Sequence, residues 1–109
     1  MRTVITYISM KLVENEDKIK AYASVIINDS IKINGIKIEM NEREKLLVIL
    51  PESENRRLQY VVPLTQETRQ YIDKQLIDRY LSLEKALNKT ATFEKENTAN
   101  LKGNDTDVN

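Results

Sequence analysis

The sequence has no cysteine, which removes disulfides, thiolate nucleophiles and Cys-ligated zinc. It has no histidine either, so the commonest general acid–base and the commonest neutral metal ligand are both missing. Net charge is absent as well, because 17 basic and 17 acidic residues cancel. A neutral chain is not one whose main role is to coat nucleic acid non-specifically, since that affinity comes mostly from Lys and Arg neutralising phosphates. A local basic patch remains compatible with neutrality, because clustering matters more than the sum. No apolar run approaches the ~20 residues that span a bilayer. The N-terminus alternates Val4, Thr6, Ile8 and lacks the apolar stretch and small-residue cleavage site of a signal peptide. Together these absences lead us to expect a cytoplasmic protein that is not an enzyme, with no cofactor, no metal, no membrane contact and no small-molecule substrate.

What is present reads as strands followed by a helix. At 109 residues there is room for one domain, and a chain of this size leaves enough surface exposed that a second copy can complete the packing. From Thr3 to Val13 apolar residues recur at every second position: Val4, Ile8, Met10 and Leu12 on one face, Ile5 and Tyr7 on the other, with Thr6 as a gap. After the polar break at Glu14–Asp17, Lys18 to Asn28 resumes the alternation with Ile19, Ala21, Ala23, Val25 and Ile27. The short loop between the runs favours an antiparallel hairpin.

Asn28-Asp29-Ser30 marks another reversal. The next run, Ile31, Ile33, then Ile36, Ile38 and Met40, slips phase at Asn34-Gly35. Asn-Gly is a strong hairpin signal, but the same slip fits one longer strand with a bulge, Gly taking the positive φ. Asn41 to Glu44 is a loop, Lys45 to Leu50 a continuous apolar strand, and Pro51 ends it because a central strand cannot spare the amide. Glu52 to Arg57 is polar, and Leu58 to Val62 is a last short strand stopped by Pro63.

Beyond Pro63 the period becomes helical. Thr65 is the N-cap candidate, with Glu67 in the first turn where its charge suits the helix dipole. Ile72, Leu76, Tyr80, Leu83 and Leu87 share one face, and Lys74, Asp78 and Lys85 fall opposite. The expected fold is therefore α+β: a five-stranded antiparallel, meander-like sheet, then one C-terminal amphipathic helix. Residues 1–88 form the domain, and 89–109, polar and without a period, read as a disordered tail.

Set in order, these segments resemble the SpoVG family (stage V sporulation protein G, the septation regulator). Ala21-Tyr22-Ala23-Ser24-Val25 matches the family's Arg-Ala-x-Ala-Ser-Ile/Val pattern from its second residue on. Ile36-Lys37-Ile38 matches an Ile-Arg-Val segment, and Leu47-Val48-Ile49-Leu50-Pro51 matches Phe-Val-x-Met-Pro. Most specific are Val62-Pro63-Leu64, then Thr68-Arg69, then Tyr80, where the family has His-Pro-Ile, a Thr-Arg pair opening the helix, and Glu-Tyr near its end. The match covers about residues 3 to 83. The resemblance implies an antiparallel sheet with a C-terminal helix, homodimers, and bacterial regulators that bind DNA and RNA with sequence preference. It also implies one strand through Asn34-Gly35, hence the bulge. Two departures stand out. The family's basic segment after Met-Pro is Glu52-Ser53-Glu54 here, and its His before the helix proline is Val62.

The candidate nucleic-acid contacts are Arg56, Arg57, Thr68, Arg69, Lys74 and Arg79. Arg56 and Arg57 sit on a polar loop from which guanidinium groups reach phosphates or base edges; the alternative is a solvated loop neutralising Glu52 and Glu54. Thr68 and Arg69 open the helix, where free amides favour anions. By helical angle, however, Arg69 lies near the apolar stripe, which favours a structural arginine pinned to a sheet carboxylate or to loop carbonyls. Lys74 and Arg79 are helix cations able to extend a patch begun at the loop. Tyr7, Tyr22, Tyr60, Tyr71 and Tyr80 are candidates for stacking on bases or for packing. Asp105 and Asp107 have no further ligands in sequence reach, so no metal is assigned. The leading expectation is a homodimeric DNA-binding regulator, with RNA as a second target. The rival is a protein-interaction module of the same fold.

Overall fold

The computed structural model describes residues 2–14 and 17–99, with the backbone alone for 89–99. Four strands, β1 (Ile5–Leu12), β2 (Ile19–Ile27), β3 (Ile31–Met40) and β4 (Leu46–Ile49), form one antiparallel sheet in sequential order. One helix, α1 (Gln66–Ala99), packs on it.

Three cross-strand rows build the buried face. Ile8 pairs with Val25 and Val25 with Ile33; Met10 pairs with Ala23 and Ala23 with Ile36; Leu12, Ala21, Ile38 and Val48 form the longest row. Alternation places every second residue of each strand here. Ala21 and Ala23 are small, which lets Ile72, Leu76 and Tyr80 of α1 join the same buried cluster. Leu76 and the facing Ile36 and Ile38 are fully buried, each worth about 1.5–3 kcal/mol of transfer free energy. The helical stripe then fades: Leu83 is half-buried and Leu87 exposed, because α1 has run past the sheet.

Bulges account for the phase slips. Asn34-Gly35 lies opposite the single residue Ser24, between the pairs Ala23–Ile36 and Val25–Ile33, within one continuous β3. Gly35 has φ +80° there, which only glycine adopts without strain. A second bulge at Thr6 puts Ile5 opposite Ile27 and Tyr7 opposite Ile26. Thr6 Oγ1 donates to the Ile26 carbonyl at 3.2 Å and accepts from the Asp29 amide at 3.1 Å. The extra residue inverts the pleat, so Ile5 packs on the core and Val4 is exposed, the reverse of the plain alternation. A third, at Lys20, takes Ile19 out of the core row and sets it opposite Glu39.

Two expectations need correction. The sheet has four strands and not five: Leu58–Val62 does not pair with it, and its one bridge joins Gln59 to Glu52. The chain turns back on itself after Pro51, with the Ser53 amide donating to Leu58 O at 2.8 Å and the Tyr60 amide to Pro51 O at 2.9 Å. A four-residue β4 broken by a proline lacking an amide offers no continuous edge to a further strand. The helix also continues past Asn88 through 89–99, where the tail was expected to begin. No Gly or Pro occurs between Pro63 and Gly103, so no strong breaker ends it sooner. Residues 100–109 of the expected tail lie outside the described residues. No helix among the described residues is long and apolar enough to cross a membrane.

Candidate nucleic-acid interface

Arg56 and Arg57 occupy the tip of the hairpin that follows β4. Its backbone is tied from within. Asn55 Oδ1 accepts from Ser53 Oγ at 2.8 Å and from the Arg57 amide at 3.0 Å, and Ser53 Oγ accepts from the Leu58 amide at 3.0 Å. The Arg56 amide donates to Ser53 O at 2.9 Å, with φ +60° at Arg56. A non-glycine residue in that region is held by its surroundings. For Arg56 the restraint is also ionic: Nη2 lies 3.5 Å from Glu39 Oε2 and Nε lies 3.3 Å from Glu52 Oε2. Glu39 is the one buried charged side chain among the described residues, and Arg56 neutralises it. Arg57, next along the chain, is exposed and its side chain makes no ion pair.

The helix N-terminus is closed by its own cap. Thr65 Oγ1 accepts from the Thr68 amide at 3.1 Å and donates to Thr68 Oγ1 at 2.9 Å, as the N-cap reading of Thr65 anticipates. Arg69 is pinned, with partners other than the sheet carboxylate or loop carbonyls expected: Nη2 donates to the β4 carbonyl of Val48 at 2.7 Å and Nε to Asp73 Oδ2 of its own helix at 3.2 Å. The other oxygen, Asp73 Oδ1, is buried without a hydrogen bond of its own. Lys74 Nζ donates to Asp78 at 2.8 Å on the wet face, and that hydrogen bond, reinforced by the carboxylate's charge, raises the Lys74 pKa. Arg79 is exposed on the same helix.

The six candidates therefore do not form one cluster. Arg69 lines a groove between the hairpin and the helix start, with Glu52, Gln59 and Val62–Gln66. Arg56 lines a different hollow of about 700 Å³, together with Lys18, Lys20 and Arg43. Lys18 and Arg43 come from the two loops at one end of the sheet and Lys20 from the bulge near the start of β2, and the same hollow holds Asp17, Glu39 and Glu42. No local pattern singles them out, since Lys18 and Lys20 open a strand run and Arg43 sits in a mixed-charge loop; only the hairpin connections bring them beside Arg56. Among the described residues no group of three or more acidic side chains lies close enough to hold a metal ion.

The tyrosines divide. Tyr80 is buried and donates to Glu84 at 3.3 Å, and the Tyr71 hydroxyl accepts the Ile5 amide at 3.0 Å, fastening α1 to β1. Tyr7, Tyr22 and Tyr60 are exposed. Tyr7 and Tyr22 lie on the face of the sheet turned away from α1.

A comparison with family models matches residues 3–82 to the SpoVG family. A search of the curated proteins found no match.

Proposed function

The chain belongs to the SpoVG family, and from that premise we propose that it is a cytoplasmic nucleic-acid-binding regulator of the septation and sporulation type, acting as a homodimer. DNA is its first target and RNA its second, and it is a regulator with no catalytic role. The observation that carries the reading is the hairpin tip, where a self-tied backbone and the Arg56–Glu39–Glu52 cluster hold Arg57 out in solvent. Because the tip is already ordered, a phosphate or base edge meets Arg57 without the cost of fixing a mobile loop. Arg56, paired with Glu39 and Glu52, serves the surface by anchoring the tip. Thr68 supports the surface by closing the helix cap on Thr65 and Arg69 by holding the helix start against β4, and Lys74 and Arg79 extend it along α1.

Dimerisation is supported by the apolar segment that the single chain leaves outside the sheet. Leu58, Tyr60, Val62 and Leu64 alternate and are all exposed, Leu64 at 92%. A second copy burying this apolar row would give Leu58–Val62 the strand pairing its composition favours and would set two Arg57 tips at fixed separation. A gel shift with duplex DNA tests the binding: the wild-type chain retards it and Arg57→Ala does so several-fold less. Retardation by neither rules the reading out. Sedimentation tests the dimer, with Val62→Glu and Leu64→Glu predicted to yield folded monomers; a wild-type monomer at micromolar concentration overturns that part.

A further inference from the structure

The face of the sheet opposite α1 is built from the other residue of each alternating pair. Lys11 lies opposite Tyr22, Tyr22 opposite Lys37, and Lys37 opposite Ile49. One end carries the row Tyr7, Ile26, Lys32, and Ser9 faces Ser24 between the two rows. Tyr7 is 61% and Tyr22 46% exposed. The serine pair between them is low, so both rings stand clear of the surface. Among the described strand residues the one carboxylate on this face is Glu39, and Arg56 already pairs with it. A neutral protein thus carries one surface on which aromatic rings sit between unopposed lysines.

We propose that this open face is a stacking platform for the unpaired bases of a single-stranded nucleic acid, with Tyr7 and Tyr22 as the ring contacts and Lys11, Lys32 and Lys37 along the phosphate track. The inference rests on the nucleic-acid reading above and adds to it a surface and a strandedness. Every base has a π-face, so stacking on an exposed ring tolerates sequence, while lysines beside it follow the backbone. Along β2 the two tyrosine positions are four residues apart, about 13 Å at 3.3 Å per residue, which is up to four stacked nucleotides at 3.4 Å each. A duplex hides its base faces and gains nothing from the rings. Tyr22 also occupies the position that the Arg-Ala-x-Ala-Ser pattern leaves open, so the platform is a property of this chain's own residues.

The chain has five tyrosines and no tryptophan, so its intrinsic emission reports the rings directly. Titrating the full chain with the 20-mers dT20 and U20 at low salt is expected to quench that emission. Tyr7→Ala and Tyr22→Ala are each expected to weaken single-strand binding about tenfold, the Phe variants to stay within about threefold of wild type, and duplex binding to stay unchanged. Lys11→Gln, Lys32→Gln and Lys37→Gln are each expected to lower the salt slope by about 0.7. Tyr7, Lys11, Tyr22 and Lys32 are exposed and Lys37 is half-buried on the same open face, so circular dichroism is expected to stay native. The relative response to dT20 and U20 tells whether DNA or RNA is preferred. If the Ala variants bind both 20-mers as tightly as wild type while duplex binding persists, the platform is wrong and the regulatory reading stands. If neither single strand nor duplex is bound, both fall. If the Ala variants change the sedimentation coefficient and leave binding intact, the face is a contact between copies and the proposal is overturned.

Discussion

Arg56 sets its guanidinium 3.5 Å from the carboxylate of Glu39, joining a strained loop residue to the one buried charged side chain among the described residues. The two lie 17 positions apart in sequence (56 − 39), and the left-handed backbone at Arg56 is what turns the side chain toward the sheet. The neighbouring Arg57 has the same chemistry and none of this attachment.

Replacing the two arginines should therefore give different phenotypes. Arg56→Ala strands a buried carboxylate and is expected to cost about 1–3 kcal/mol of stability in urea unfolding. Adding Glu39→Gln is expected to recover a good part of that loss, because the uncompensated charge is removed. Arg57→Ala is expected to leave stability within about 0.5 kcal/mol and to weaken DNA binding. Equal destabilisation by both would contradict the assignment.

Arg69 joins the helix start to β4 through the Val48 carbonyl. Arg69→Met keeps much of the aliphatic packing but removes that bond and leaves Asp73 unpaired, with an expected loss of about 1–3 kcal/mol. Asp73→Asn in the same chain should soften it. A variant as stable as wild type would free Arg69 for a direct role in binding.

Gly35→Ala isolates the backbone requirement of the β3 bulge. An added Cβ would meet only Pro51 Cγ at 3.9 Å, an ordinary contact, so the cost is conformational and arises from φ +80°. We expect about 1–2 kcal/mol, measured by thermal or urea unfolding. A neutral substitution would show that the strand passes this point in another conformation.

Burial of Tyr80, and secondarily the charge and hydrogen bond of Glu84, raise the phenol's pKa above its ordinary value of 10.0. The folded state therefore holds the proton more tightly than the unfolded chain. The associated stability is fully present below pH 10 and is lost as pH rises through the folded-state value. Relative to Tyr80→Phe, the wild-type chain is expected to lose stability across that window. A difference between the two that stays constant as pH rises through and above 10 would contradict this linkage.

Much of the fold was legible because period and punctuation agree. Ala21, Ala23 and Val25 declare a strand face, Pro63 and Thr65 announce the helix, and Ile72, Leu76 and Tyr80 mark its buried stripe. That Arg69 lies beside the stripe was legible from its helical angle, but its partners, the Val48 carbonyl and Asp73, were not. Thr6 was not: one polar residue in an alternation reads as a gap, although as a bulge it exchanges Val4 for Ile5 in the core. Leu58–Val62 has strand composition, but pairing depends on what edge is near, and Pro51 removes it. Glu52 was legible as a partner of Arg56 in the reading of a loop that neutralises its own carboxylates, whereas Glu39 depends on a loop bend that no local pattern encodes. The open face with Tyr7 and Tyr22 follows from the same alternation as the core, once attention moves to the other half of each pair.

The central claim is nucleic-acid binding through cations on a neutral protein, and a salt series on the wild-type chain tests it most directly. Polarisation of labelled DNA and RNA should show binding at about 50 mM salt that weakens roughly a hundredfold by 200 mM, as expected for about four phosphate contacts. No binding at the lower concentration, or an affinity indifferent to salt, would contradict it.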